Sequence, residues 1–192
     1  MAANPPDPSR RNEQSRQAIL DASISLICEL GYDNVSIEAI ARRAGCGKQT
    51  IYRWWPSKGA VVLEAATQLL DPVVIFPDTG DIVADLRGQL IGILDLITTT
   101  GFGAAYRGVI AAGQSDPDLL GAVYEQIIEP NVRAFGARAA LAQERGEMRA
   151  DADVRTLRDV LYGVIEYRMF HAMPIEPEYI DALLDMTFPG TR

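Results

Sequence analysis

The sequence predicts an all-α protein, and three observations carry that prediction. Apolar residues recur at spacings of three and four along most of the chain, which places them on one face of a helix. No alternating apolar–polar run of useful length appears, so no strand is expected. Breakers (Pro56, Asp71-Pro72, Gly101 and Gly103, Pro174 and Pro177) cut the pattern into about nine helical segments. At 192 residues, 48% hydrophobic and 23% charged, the chain can bury a core and is too apolar to be disordered as a whole.

The elements follow in order. Residues 1–8, with Pro5, Pro6 and Pro8, have no periodicity and read as a flexible tail, with Arg10 and Arg11 as a weak basic arm. Residues 9–30 form a first helix on the stripe Ile19, Ala22, Ser23, Leu26, Ile27 and Leu30, closed by Gly31. Ser36 caps a second helix that buries Ile37, Ile40, Ala41 and Ala44. Gly45-Cys46-Gly47 makes a turn, and a third helix runs over residues 48–54 until Pro56. Ser57 caps a fourth helix reaching about Leu70. After a loop ending at Gly80, helices are expected over 81–100, 102–114, 116 to just before Gly146, 151–172 and 178–188. Pro130 should kink the long helix that starts at Asp116-Pro117. The expected division is a tail at 1–8, a helix-turn-helix unit at 9–56 and a helical body at 57–192.

Charge is distributed unevenly. The chain carries −8 overall, yet residues 1–70 carry +1 and residues 71–192 carry −9. Within residues 35–58, Arg42, Arg43, Lys48, Arg53 and Lys58 face Glu38 alone, for a local +4. A basic patch on an acidic protein still attracts phosphate, because charges more than about 8–10 Å away are screened at physiological salt. Arg42 and Arg43 also fit an ordinary solvated face. Cys28 and Cys46 sit among small and apolar residues and read as buried, reduced thiols.

The stretch VSIEAIARRAGCGKQTIYRWWPSK therefore reads as two short helices about a tight turn that docks on DNA. Ile51 and Trp55 point inward as anchors. Lys48, Gln49, Thr50, Tyr52, Arg53 and Trp54 are left for the duplex. Lys48 can donate to guanine O6/N7, and Gln49 can pair with adenine N6/N7 in the major groove. Thr50 suits a phosphate or a thymine methyl, and Arg53 a base or a phosphate. Tyr52 and Trp54 offer O–H and N–H donors to phosphate. Ser36 and Lys58, at helix N-termini, suit phosphate positioning.

Through Gly31-Tyr32, Ser36, Ile37, Ile40, Ala41, Ala44-Gly45, Lys48, Thr50, Ile51-Tyr52, Trp55 and Ser57-Lys58, this region resembles the DNA-binding domain of the TetR-type transcriptional regulators. Gly47 stands where that family usually has a capping Ser or Thr, and Gln49 where a glycine is common. Trp54 is bulkier than the usual His or Tyr. The resemblance implies a homodimer joined through its last two helices on a palindromic double-stranded operator. It also implies repression relieved when the body binds a small apolar or aromatic effector.

Candidate effector contacts are Phe102, Tyr106, Ile110, Gln114, Tyr124, Ile128, Tyr162 and Phe170; each equally suits a filled core or a dimer contact. His171, the single histidine, has no partner at metal-ligand spacing, and no metal or cofactor is expected. No nucleophile motif, phosphate loop or Ser/His/Asp set suggests an enzyme. The N-terminus lacks the apolar segment of a signal peptide and no run is long enough to span a membrane, so a cytoplasmic protein is expected. The alternative from another class is a helical ligand-binding module that acts through protein contacts with weak or no DNA binding.

Overall fold

The computed structural model describes residues 8–70 and 75–188, with side chains from residue 12. The expected tail and basic arm, and the break at Asp71-Pro72, lie outside these described residues or side chains. The described elements are α1 (Pro8–Leu30), α2 (Ile37–Arg43), α3 (Lys48–Trp54), α4 (Lys58–Leu70), α5 (Ile82–Thr99), α6 (Phe102–Gly113), α7 (Pro117–Val123), α8 (Glu129–Glu144), α9 (Val154–Phe170) and α10 (Pro177–Thr187). A π-helical turn, Tyr124–Ile128, joins α7 to α8 without a break. Counted as one long helix, these three segments bring the described total to the expected nine. No strand occurs among the described residues.

Pro130 follows the π-helical turn and opens α8, with Ile128 before it still in helical backbone, so the proline sits within the long helix beside a π turn, both of them features at which helices bend.

The helices group into two compact units. The first comprises residues 1–68 and 104–123, and the second comprises residues 69–103 and 124–192. Most of α4 therefore lies in the first unit, beyond residue 56. Most of α4 belongs with the first three helices because its polar face is tied to α1. Glu64 pairs with Arg16, and Gln17 donates to Gln68 at 3.3 Å. Helices α6 and α7 join the same unit by close approach. A Cβ on Gly108 would lie 2.4 Å from Tyr32, and one on Gly59 would lie 2.6 Å from a Leu119 methyl.

The core of the first unit uses the expected stripe of α1, with Ile19, Leu26 and Ile27 buried against Ile37, Ile40 and Ala41 of α2 and Ile51 of α3. Three expectations fail at its edge. Leu30 is 47% exposed, Ala44 is only half-buried, and Cys28 is exposed, as Leu26 and Ile27 take the inward positions. Cys46 is half-buried, and both thiols are free.

The second unit has its own core. Ile82, Leu86, Leu90 and Leu94 form one row on α5, at spacings of four. This row packs in one cluster with Phe135 and Ala139 of α8, Leu161 and Ile165 of α9, and Ile180 and Leu184 of α10. A buried ionic group links α5 to α8. The Arg138 guanidinium, 4% exposed, donates from Nε to Asp85 Oδ2 at 2.8 Å and from Nη2 to Glu147. Asp85 also accepts from the Thr79 hydroxyl at 2.7 Å. These partners are what allow charges to be held out of water.

Candidate nucleic-acid interface

The interface begins with how α2 stops. Gly45 adopts φ 68°, a left-handed conformation that costs glycine little. The Cys46 N–H then donates to the Ala41 carbonyl at 2.9 Å, and the Gly45 N–H to Arg42 at 3.4 Å. This pair of bonds is a Schellman closure, and it turns the chain within a few residues. The Ser36 hydroxyl opens α2 by accepting from the Ala39 N–H at 3.2 Å, which leaves its own O–H to donate outward.

Helix α3 has one face buried and one free. Ile51 is fully buried, and Trp55, just after the helix, is 4% exposed and donates from Nε1 to Glu64 at 2.8 Å. These two anchors are the ones the sequence assigns to the core. Lys48, Gln49, Tyr52 and Arg53 are exposed, while Thr50 and Trp54 are half-buried. Trp54 presents an edge-on contact to Trp55, with ring centroids 5.4 Å apart. Seven residues make a helix roughly 10 Å long, short enough to enter a major groove end-on. Gly47 caps α3 with no side-chain bond.

Electrostatics sort the basic residues into two groups. Lys48 lies 3.6 Å from Glu38, with both side chains about 60% exposed. A pair this open is weak, so the Lys48 ammonium can exchange it for DNA. Arg43 is engaged with α1 at the surface. Its guanidinium forks onto Glu29 with two bonds of 2.7 Å and reaches the Ser25 hydroxyl at 2.9 Å. Arg43, with Ser25 second, holds the Glu29 carboxyl down to about 2.

Lys58 is engaged as well. Its Nζ donates to the Tyr32 carbonyl at 2.8 Å and lies 4.1 Å over the Tyr32 ring. Burial lowers its pKa, and nearby Asp33 opposes that shift. Lys58 opens α4, as the sequence expects, and in the DNA-free chain its ammonium rests against the turn that follows α1. Glu38 and Tyr32 are partners that the sequence offers no spacing signal to find.

The eight candidate effector contacts divide between the two units. Tyr106, Ile110 and Gln114 belong to the first unit and the other five to the second. Phe102 and Tyr106 are buried core, Ile110 is half-buried, and Gln114 is exposed at the end of α6. Tyr162 is buried, donates to Gln89 at 2.6 Å and meets Phe135 edge-on. Phe170 is 40% exposed on α9. Tyr124 and Ile128 share a concave surface. With Val132, Phe135, Gly136, Val154, Arg155, Arg158 and Asp159 they line a cleft of about 640 Å3 in the second unit. Among the described residues no cluster of His, Cys, Asp and Glu could hold a metal ion.

A tight-turned helix pair, braced from behind by α1 and presenting an open polar face on its second member, defines a helix-turn-helix DNA-binding protein. Comparison with known proteins agrees. Residues 19–65 match the family model for bacterial regulatory proteins of the tetR family, and residues 76–187 match the tetracyclin repressor-like C-terminal domain. The chain belongs to the TetR family of transcriptional regulators.

Among its relatives is the uncharacterized HTH-type transcriptional regulator YdeS of Bacillus subtilis (strain 168), 30% identical over 185 residues, covering 95% of this chain and 92% of that protein. Another is the DNA-binding transcriptional repressor TetR of Mycobacteroides abscessus, 28% identical over 190 residues and covering 95% and 98%. The crystal structure of the TetR family transcription regulator SCO0332 superposes with a TM-score of 0.75 at 32% identity, covering 92% of this chain and 98% of that one.

Proposed function

We propose that the protein is a sequence-specific transcriptional repressor that binds a palindromic operator as a homodimer and releases it on binding a small apolar or aromatic effector. The observation that carries this reading is the outward row of Lys48, Gln49, Tyr52 and Arg53 on a helix locked from behind by Ile51 and Trp55. Lys48 and Gln49 read base edges. Thr50, Tyr52, Arg53, Trp54 and the Ser36 hydroxyl position the phosphate backbone. Lys58 sets the α4 N-terminus against Tyr32.

Pairing runs through α9 and α10, where Tyr167, Phe170 and Met186 stay 56%, 40% and 70% exposed. A two-fold pair of readers matches a two-fold operator. The similarity to a DNA-binding transcriptional repressor supports repression rather than activation. The protein acts in the cytoplasm and carries no enzymatic activity in this reading. No described helix is long and apolar enough to cross a membrane.

The test is fluorescence anisotropy on the protein's own upstream duplex and on a shuffled duplex, with wild type and Lys48→Met. Loss of a guanine contact should cost about 1–3 kcal/mol on the operator and much less on the shuffled duplex. An equal loss on both duplexes would remove Lys48 from base readout. Absence of any operator preference in the wild type would refute the repressor reading.

A further inference from the structure

The cleft in the second unit has three features that point to one kind of occupant. Its walls are apolar: Tyr124 and Ile128 from the π turn, Val132 and Phe135 from α8, and Val154 from α9. Two of these side chains, Tyr124 and Val132, are 53% and 36% exposed although they line a concavity. Its volume, about 640 Å3, falls in the range of small-molecule sites. The π turn is the second feature. Such turns are rare and occur frequently at functional sites, and this one supplies two wall residues.

The third feature is charge. The body carries a net −9, yet the cleft is lined by Arg155 and Arg158 against Asp159 alone. Arg158 is held in place, with its guanidinium 5.1 Å over the Tyr162 ring and Nη1 3.2 Å from Asp159. The Arg158 side chain is 15% exposed, and its Nε–H is buried with no acceptor among the described residues. A guanidinium held on the wall of an otherwise apolar cleft favours an oxyanion. Arg138 also has a buried nitrogen, Nη1, without an acceptor among the described residues, but it lies between Asp85 and Glu147 and does not line this cleft.

We propose that this cleft binds an apolar molecule bearing one carboxylate, with the carboxylate on Arg158 and the apolar body against Tyr124, Ile128, Val132 and Phe135. The proposal rests on the effector reading above and gives that effector a place and a charge. Arg158 selects the anion, and Arg155 at the same rim adds attraction. Gly136, whose Cβ position has nothing within 4 Å, marks open space on the α8 wall.

The experiment is titration calorimetry of the full-length protein with decanoate and 2-naphthoate, each beside its neutral counterpart, decan-1-ol or 2-naphthol. Operator release is followed by anisotropy in parallel. At least one carboxylate should bind about tenfold or more tightly than its neutral counterpart. Arg158→Met should erase that difference while leaving the neutral compound's affinity unchanged. Gly136→Leu, which fills the cleft and favours helix, should weaken both compounds.

Equal affinity for carboxylate and neutral partner overturns the proposal, as does failure of all four probes to bind. Arg158→Met weakening both compounds alike also overturns it, since the arginine would then only shape the cleft. Arg158-dependent carboxylate binding without operator release supports the site and refutes the effector reading instead.

Discussion

Replacing Lys58 by Met separates a charge that meets DNA from a charge that holds the fold. Met keeps the apolar stem and removes the ammonium. Two interactions are lost: a 2.8 Å bond to the Tyr32 carbonyl and a cation 4.1 Å over the Tyr32 ring. A hydrogen bond from a charged group contributes about 1.5–3 kcal/mol, and the half-buried site argues for the lower end. The cation–π contact adds about 0.5–1 kcal/mol. The total loss should be about 2 kcal/mol. For a chain of this size that is a fall in Tm of roughly 4–8 °C, read by calorimetry at fixed protein concentration.

The second assay is the salt dependence of operator binding. A lysine on phosphate contributes about 0.9 to the slope of log K against log salt, so about 1.8 for a dimer. With its ammonium held by Tyr32, Lys58 should leave the slope unchanged. A slope reduced by about 1.8 with an unaltered Tm would refute the reasoning and return Lys58 to the phosphate backbone.

Three further outcomes follow from the same coordinates. Gly108→Ala drives a Cβ to 2.4 Å from Tyr32, and this overpacking should cost about 1–3 kcal/mol in urea unfolding; a neutral result would mean α6 is free to move away. Asp85→Ala leaves the buried Arg138 short of its main carboxylate, and a loss of about 3–5 kcal/mol is expected in the same assay, against under about 1 kcal/mol if water enters the group. Glu29, held near 2 against an ordinary 4.5, stabilises the fold above about pH 4.5 and loses that contribution as pH falls toward 2. The stability gap between wild type and Glu29→Gln should therefore be constant above about pH 5 and shrink below it; a gap that stays flat to pH 2.5 would contradict the pairing with Arg43.

The sequence by itself determined the helices and the reading head. Periodicity of apolar residues is a local property, so α1 to α4 and the inward Ile51 and Trp55 were legible before any packing was known. Gly45 was legible for the same reason, because a left-handed turn is a demand of the backbone on one residue. The tertiary structure decided everything that depends on partners distant in the chain. Lys58 meets Tyr32 across 26 positions, Asp85 meets Arg138 across 53, and Arg43 meets Glu29 across 14.

No spacing rule encodes such pairs, so the bond from Lys58 to the Tyr32 carbonyl was not legible in the sequence. The same holds for the cleft. A helical stripe says that Phe102, Tyr106, Tyr124, Ile128 and Tyr162 face inward or toward a neighbour, but not which of them leave space between. The way α8 and α9 pack, with a π turn ahead of Pro130, opened a concavity at Tyr124 and Ile128 and left Tyr162 buried beside it.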